Sequence, residues 1–221
     1  MAVEVDADAP GRGDAADQVG LEFSRPTVDI LTPGVFALAV MSTAFTSLAI
    51  ATGFERRYGV IKRLGTAPLS RGSLLAGKAG ALLVVELVQL IVIGAVAAAL
   101  GWEPSLASPP HTVLGLLLTV GLGTAAFASL GLLVAGALRA EATLALANLV
   151  YLLLMAGGGV VLPTSTYGTA GGLIQWLPSG ALGEAMRSTL VHADIDGRSL
   201  LVLAAWAVLG ALLTAKTFRW E

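Results

Sequence analysis

The sequence has no cysteine, which excludes disulfides and thiolate metal sites and leaves the redox compartment unmarked. Histidine is almost as scarce: His111 and His192 are the two in the chain, and they lie far apart. Charged residues make up 13% of the chain, whereas an ordinary soluble domain carries roughly 25%. The start, Met1-Ala-Val-Glu-Val-Asp-Ala-Asp, lacks both the basic residues and the apolar run of a signal peptide. No repeat of fixed period is evident, and no block is of low complexity beyond a bias to alanine and glycine.

What is present is apolar residue, 56% of 221, gathered into blocks long enough to cross a hydrocarbon core of about 30 Å. The fold class expected is an all-α integral membrane protein with one helical transmembrane domain, residues 35–221. Residues 1–34 are acidic, rich in Gly, Ala and Pro, and expected to be irregular and extracytoplasmic, with Pro33 and Gly34 marking entry to the first span. Five transmembrane helices are predicted, at about 35–54, 79–100, 113–138, 142–162 and 200–215. The segment between the last two holds Trp176, Pro178, Glu184 and Arg187, too polar to cross and too apolar for linker, so outer-face re-entrant or interfacial helices are expected there.

Net charge is −2, but about half of the 15 carboxylates precede residue 30 while basic residues concentrate between 56 and 78. Lysine and arginine are retained on the cytoplasmic side of short loops. With the 55–78 loop inside, that side collects Arg56, Arg57, Lys62, Arg63, Arg71, Lys78, Arg139, Lys216 and Arg219, leaving Arg12, Arg25, Arg187 and Arg198 outside. The expected arrangement is therefore a multi-pass protein of the inner (plasma) membrane, its N-terminus outside and its C-terminus cytoplasmic.

Three local patterns could carry chemistry. Gly72-Ser-Leu-Leu-Ala-Gly77-Lys78 fits the first seven positions of a phosphate-binding loop, but Ala79 stands where magnesium needs Ser or Thr, and no buried strand precedes it. Tyr58, Ile61 and Leu64 recur every three residues and would share one face of a short cytoplasmic helix, with Arg56, Arg57, Lys62 and Arg63 to its sides. Such a helix either rests on the inner leaflet or docks a partner. Within the spans, Glu86 and Gln89 lie one turn apart on one face, and Asn148 sits in the fourth span. These three either line a translocation path or hydrogen-bond neighbouring helices. Small residues at Gly123, Ala125, Ala126 and Ser129 allow close helix approach.

The segment GFERRYGVIKRLGTAPLSRGSLLAGK resembles the stretch joining two spans in permease subunits of type-2 ABC exporters. The matching positions are Glu55, Arg56, Gly59, Leu64, Pro68, Gly77 and Lys78; Ala67 separates Thr66 from the proline, and Lys62 stands where many relatives carry an acid. Ile174-Gln-Trp-Leu-Pro-Ser-Gly-Ala-Leu-Gly-Glu184-Ala-Met-Arg187 is similar to the family's outer-face segment before its last span. The resemblance runs from Pro33 to Glu221. It implies that the helix over residues 55–67 is a coupling helix whose Glu55, Arg56, Arg57, Tyr58, Ile61, Lys62, Arg63 and Leu64 touch a separate ABC ATPase subunit. Relatives usually have six spans, so this chain is expected to start in the first outer loop.

The function the resemblance implies is the membrane-spanning permease of an ATP-driven exporter, paired with a second, identical or related, permease in membrane lipid. No cofactor is expected in this chain, ATP and Mg belonging to the partner ATPase, and no nucleic acid is expected as a partner. An ion-gradient-driven secondary transporter or channel, with Glu86 as its proton or cation site, is the alternative. An intramembrane enzyme would need a nucleophile and base or a metal cluster inside the spans, which hold neither His nor Cys.

Overall fold

Hydrocarbon offers no water to a peptide group, so each apolar block is driven to close its own hydrogen bonds as a helix. The computed structural model describes residues 27–60, 71–105 and 109–217, and the regular elements among them are all helical. The first span, Val28–Arg57, is built from α1 (Thr27–Met41), a π-helical turn (Ser42–Ser47) and α2 (Leu48–Arg57). Next come α3 (Arg71–Ala99), α4 (Pro109–Ala137) and α5 (Ala140–Gly157), which supply the second, third and fourth spans. A 3₁₀ turn (Thr164–Ala170) leads into α6 (Gly171–Ile174) and α7 (Pro178–His192), and α8 (Gly197–Thr217) is the last span. Among the described residues, five helices are long and apolar enough to cross a membrane. The protein is thus an all-helical membrane protein, as its hydropathy predicts.

Several boundaries differ from expectation: α3 begins at Arg71 rather than 79, α4 at Pro109 rather than 113 and α8 at Gly197 rather than 200, and two further differences concern glycine and proline. Thr27–Gly34 are helical, not irregular, so the first span begins several residues before Val35. Pro33 lies inside α1 without stopping it, and Thr32 Oγ1 donates to the Val28 carbonyl at 2.6 Å. A membrane helix tolerates proline because nearby side chains re-satisfy freed backbone groups. Gly34 is a packing position: a Cβ there would lie 2.8 Å from the Val161 carbonyl oxygen. The fourth span ends at Gly157 rather than continuing to 162, because Gly158 leaves helical geometry and Gly159 takes φ +69°.

The core runs along the first span. Phe36, Val40, Met41 and Phe45 share one buried cluster with Phe127 of α4, Leu182 and Met186 of α7, and Leu203 of α8. Lipid tails are as apolar as leucine, so helices in a bilayer gain mostly from close packing of small residues. That is how α4 meets its neighbours: a Cβ on Gly131 would fall 2.8 Å from the Phe45 carbonyl oxygen, and one on Gly210 would fall 2.1 Å from Ser129 Oγ. Thr214 Oγ1 adds a bond to the Ser129 carbonyl at 2.9 Å. α3 is peripheral by contrast, with 11% of its apolar window buried against 50% for the first span. Its inward stripe is therefore narrow, and Glu86 lies on it.

Candidate functional site

The long helices bring the basic residues of different loops to one end of the bundle. The C-terminal turn of α2 carries Glu55, Arg56 and Arg57, α3 brings Lys78, and the turn between α4 and α5 brings Arg139 and Glu141. Glu55 pairs with Lys78, joining the first span to the second, and Arg57 pairs with Glu141. Arg56 is turned inward: its guanidinium donates to the Ala135 carbonyl, and to that of Leu138 at 3.4 Å. These carbonyls belong to the C-terminal end of α4, where helix dipole and missing amide donors both favour a cation. Between the arms lies a cleft of about 490 Å³ lined by Gly53, Arg56, Arg57, Gly136, Arg139 and Glu141.

The helix expected over residues 55–67 is broken near its start. α2 ends at Arg57, the chain turns through Tyr58 and Gly59, and Val60 is again helical. Gly59 at φ +67° explains the break, since a left-handed residue favours glycine and stops a helix. Glu55 and Arg56, before the break, both contact other helices of this chain. Arg57 and Tyr58 are exposed, with the Arg57 guanidinium 5.9 Å above the Tyr58 ring and that ring stacked on Phe54 at 6.0 Å. Ile61, Lys62, Arg63 and Leu64, like Pro68, lie outside the described residues. The partial phosphate-loop match at 72–78 is helix, the first two turns of α3.

The intramembrane polar residues do not converge. Glu86 is 1% exposed and accepts from Thr124 Oγ1 at 2.7 Å, while its Oε1 has no hydrogen-bonding partner. Gln89 accepts from Thr43 Oγ1 at 2.7 Å. Thr43 opens toward α3 because it stands in the π-helical turn, whose extra residue re-aims the side chains that follow. Both contacts tie the peripheral α3 to its neighbours. Asn148, expected to bond between helices, instead faces outward and donates to Leu144 of its own helix at 2.9 Å.

A buried pair at the opposite end completes the set. Arg187 is 4% exposed and donates to the carbonyls of Gly159 at 2.9 Å and Val160 at 3.1 Å, so it holds the chain where α5 has just ended. Glu184, one turn earlier on α7, pairs with it at 3.2 Å and accepts from the Thr164 amide at 2.6 Å. Burial alone would raise the Glu184 carboxyl, but the Arg187 charge and the Thr164 bond outweigh it and hold the group below its ordinary value. Sequence reasoning quoted both residues without giving them a role, although an acid and a base one turn apart in an apolar segment was the available signal.

With this geometry in view, comparison with known proteins gives one match: a family model described as ABC-2 type transporter fits residues 12–191. No curated protein matches the chain, and neither does any solved structure.

Proposed function

The chain belongs to the ABC-2 type transporter family and is a membrane permease of an ABC transporter, and from that premise we propose that it is an exporter subunit driven by a separate ATPase. The observation that carries the reading is the grouping of Arg56, Arg57, Lys78, Arg139 and Glu141 at one end of the bundle, with the exposed Arg57 and Tyr58 at its edge. That end is cytoplasmic by the retention of lysine and arginine. The first span then starts outside and the last ends inside the cell's inner membrane.

The ATPase docks on Arg57, Tyr58 and the following residues Ile61, Lys62, Arg63 and Leu64, while Glu55 and Arg56 brace the helix end from within. ATP and Mg sit on that partner. Arg56 links the docking segment to α4 and the Glu55–Lys78 pair links it to α3, so movement of the segment is passed to three spans at once. The substrate path runs between two permease copies: Glu86 and Gln89 are turned to neighbouring helices of the same chain, which supports a path outside the single bundle, and the exposed Asn148 supplies a polar group for its wall. Co-purification tests the docking. The permease should retain its ATPase subunit through affinity purification, and the double reversal Arg57→Glu with Lys62→Glu should release it while leaving membrane insertion intact.

A further inference from the structure

Apart from the basic end, the most organised surface feature lies on the first half of α8. Trp206 Nε1 donates to the Trp176 carbonyl at 2.9 Å, which pins the loop before α7 against the last span. The Arg198 guanidinium lies 4.9 Å above the Trp176 ring, so the aromatic face holds the cation in place. Leu201, Ala205 and Leu209 follow at intervals of one turn, and together with Trp176, Arg198 and Trp206 they enclose a groove of about 490 Å³. Leu201 is 73% exposed, so the groove opens sideways, toward hydrocarbon.

The charge at its rim is available. Asp196, the nearest acid in sequence, is committed to the N-terminus of α8, where it accepts from the amides of Arg198 at 3.0 Å and Ser199 at 3.3 Å and from Ser199 Oγ at 2.5 Å. Among the described residues no carboxylate forms an ion pair with Arg198. Arg198 is the second residue of a membrane span and sits beside an exposed tryptophan, the residue enriched at headgroup depth. From Arg198 to Leu209 the helix rises by about 16 Å. Half of a hydrocarbon core is about 15 Å. The groove therefore has the length of one leaflet's acyl chain, apolar throughout its depth, with a single cation at the level of the lipid heads.

We propose that this groove binds a bilayer phospholipid of net negative charge, its phosphate paired with Arg198 and an acyl chain laid along Leu201, Ala205 and Leu209. A zwitterionic head is disfavoured because its own cation competes for the phosphate. The groove lies away from the Arg57 end, so lipid binding and ATPase docking are separable.

The protein's four tryptophans make the test direct. With Trp102→Phe and Trp220→Phe as background, Trp176 and Trp206 report on the groove in vesicles that mix phosphatidylcholine and phosphatidylglycerol. Dibrominated phosphatidylglycerol should half-quench at a mole fraction about fivefold lower than dibrominated phosphatidylcholine, the factor expected for one basic residue near the surface. Arg198→Gln should make the two lipids equal, Arg198→Lys should keep a preference, and Ala205→Phe, which fills the groove, should reduce quenching by the anionic lipid. Equal quenching by both lipids in the unaltered protein, a preference that survives Arg198→Gln, or reversal of the preference by inorganic phosphate would each overturn the proposal.

Discussion

The Arg56 guanidinium donates to the Ala135 carbonyl and so closes the C-terminal end of α4 with a side chain from the first span. A charge-assisted bond to a partly buried carbonyl is worth about 1.5–3 kcal/mol, whereas an exposed ion pair contributes between zero and about 1 kcal/mol. Arg56→Ala should therefore lower the midpoint of thermal unfolding in detergent. Arg57→Ala, which removes the exposed pair with Glu141 and the exposed contact over the Tyr58 ring, should leave it within experimental scatter. Equal effects of the two changes would contradict the distinction between a bracing and a docking arginine.

The Thr43–Gln89 bond predicts a coupling that can be isolated. Thr43→Val and Gln89→Met each remove one partner of the 2.7 Å contact. Measured side-chain bonds between membrane helices average about 0.6 kcal/mol and reach about 1.7 kcal/mol. A double-mutant cycle on unfolding free energy should fall in that range. A coupling of zero would mean that the π-helical turn does not hold α3.

Stability at the α5–α7 junction should depend on pH through Glu184. Its folded value lies below the ordinary 4.5, so its contribution is present above about pH 4.5 and is lost as pH falls through the depressed folded value. Thermal midpoints measured down an acid series should fall more steeply for the unaltered protein than for Glu184→Gln. Arg187→Ala should be the more damaging change at neutral pH, on the order of 3 kcal/mol, because it leaves Glu184 without its cation and two carbonyls without donors.

Orientation is accessible because the chain has no native cysteine. Tyr58→Cys lies at the basic end and Glu103→Cys at the opposite end, both exposed. An impermeant thiol reagent applied to intact cells should label the residue-103 variant and spare the residue-58 variant until the membrane is opened.

Hydropathy was sufficient to read the five spans, since a run of about 20 apolar residues has few other structural uses. The ends were less legible. Pro33 and Gly34 look like punctuation by rules drawn from water, but in the bilayer the proline is absorbed within α1 and the glycine makes room for Val161. The break at Gly59 was hidden by a three-residue spacing of Tyr58, Ile61 and Leu64 that fits a continuous helix, because spacing does not report the left-handed backbone of one glycine. Glu86 could be recognised as a polar group inside a span, yet its partner Thr124 belongs to a different helix and is a tertiary fact. Asn148 fell the other way, outward, since helical phase in the short α5 is set by where Thr143 and Ala147 are buried. Arg187 was the largest omission: its ligands are backbone carbonyls, which leave no side-chain pattern to find.

Transport by reconstituted protein tests the central claim most directly. Permease and ATPase subunit placed together in vesicles should move substrate only when ATP is supplied on the face carrying the Arg57 end, and omission of the ATPase should abolish movement. Arg57→Glu with Lys62→Glu should lose this activity although the permease inserts normally, and dissipating ion gradients should leave ATP-dependent transport intact. Transport that persists without ATP or ATPase, follows an imposed ion gradient and disappears in Glu86→Gln would contradict the account and establish the ion-driven alternative.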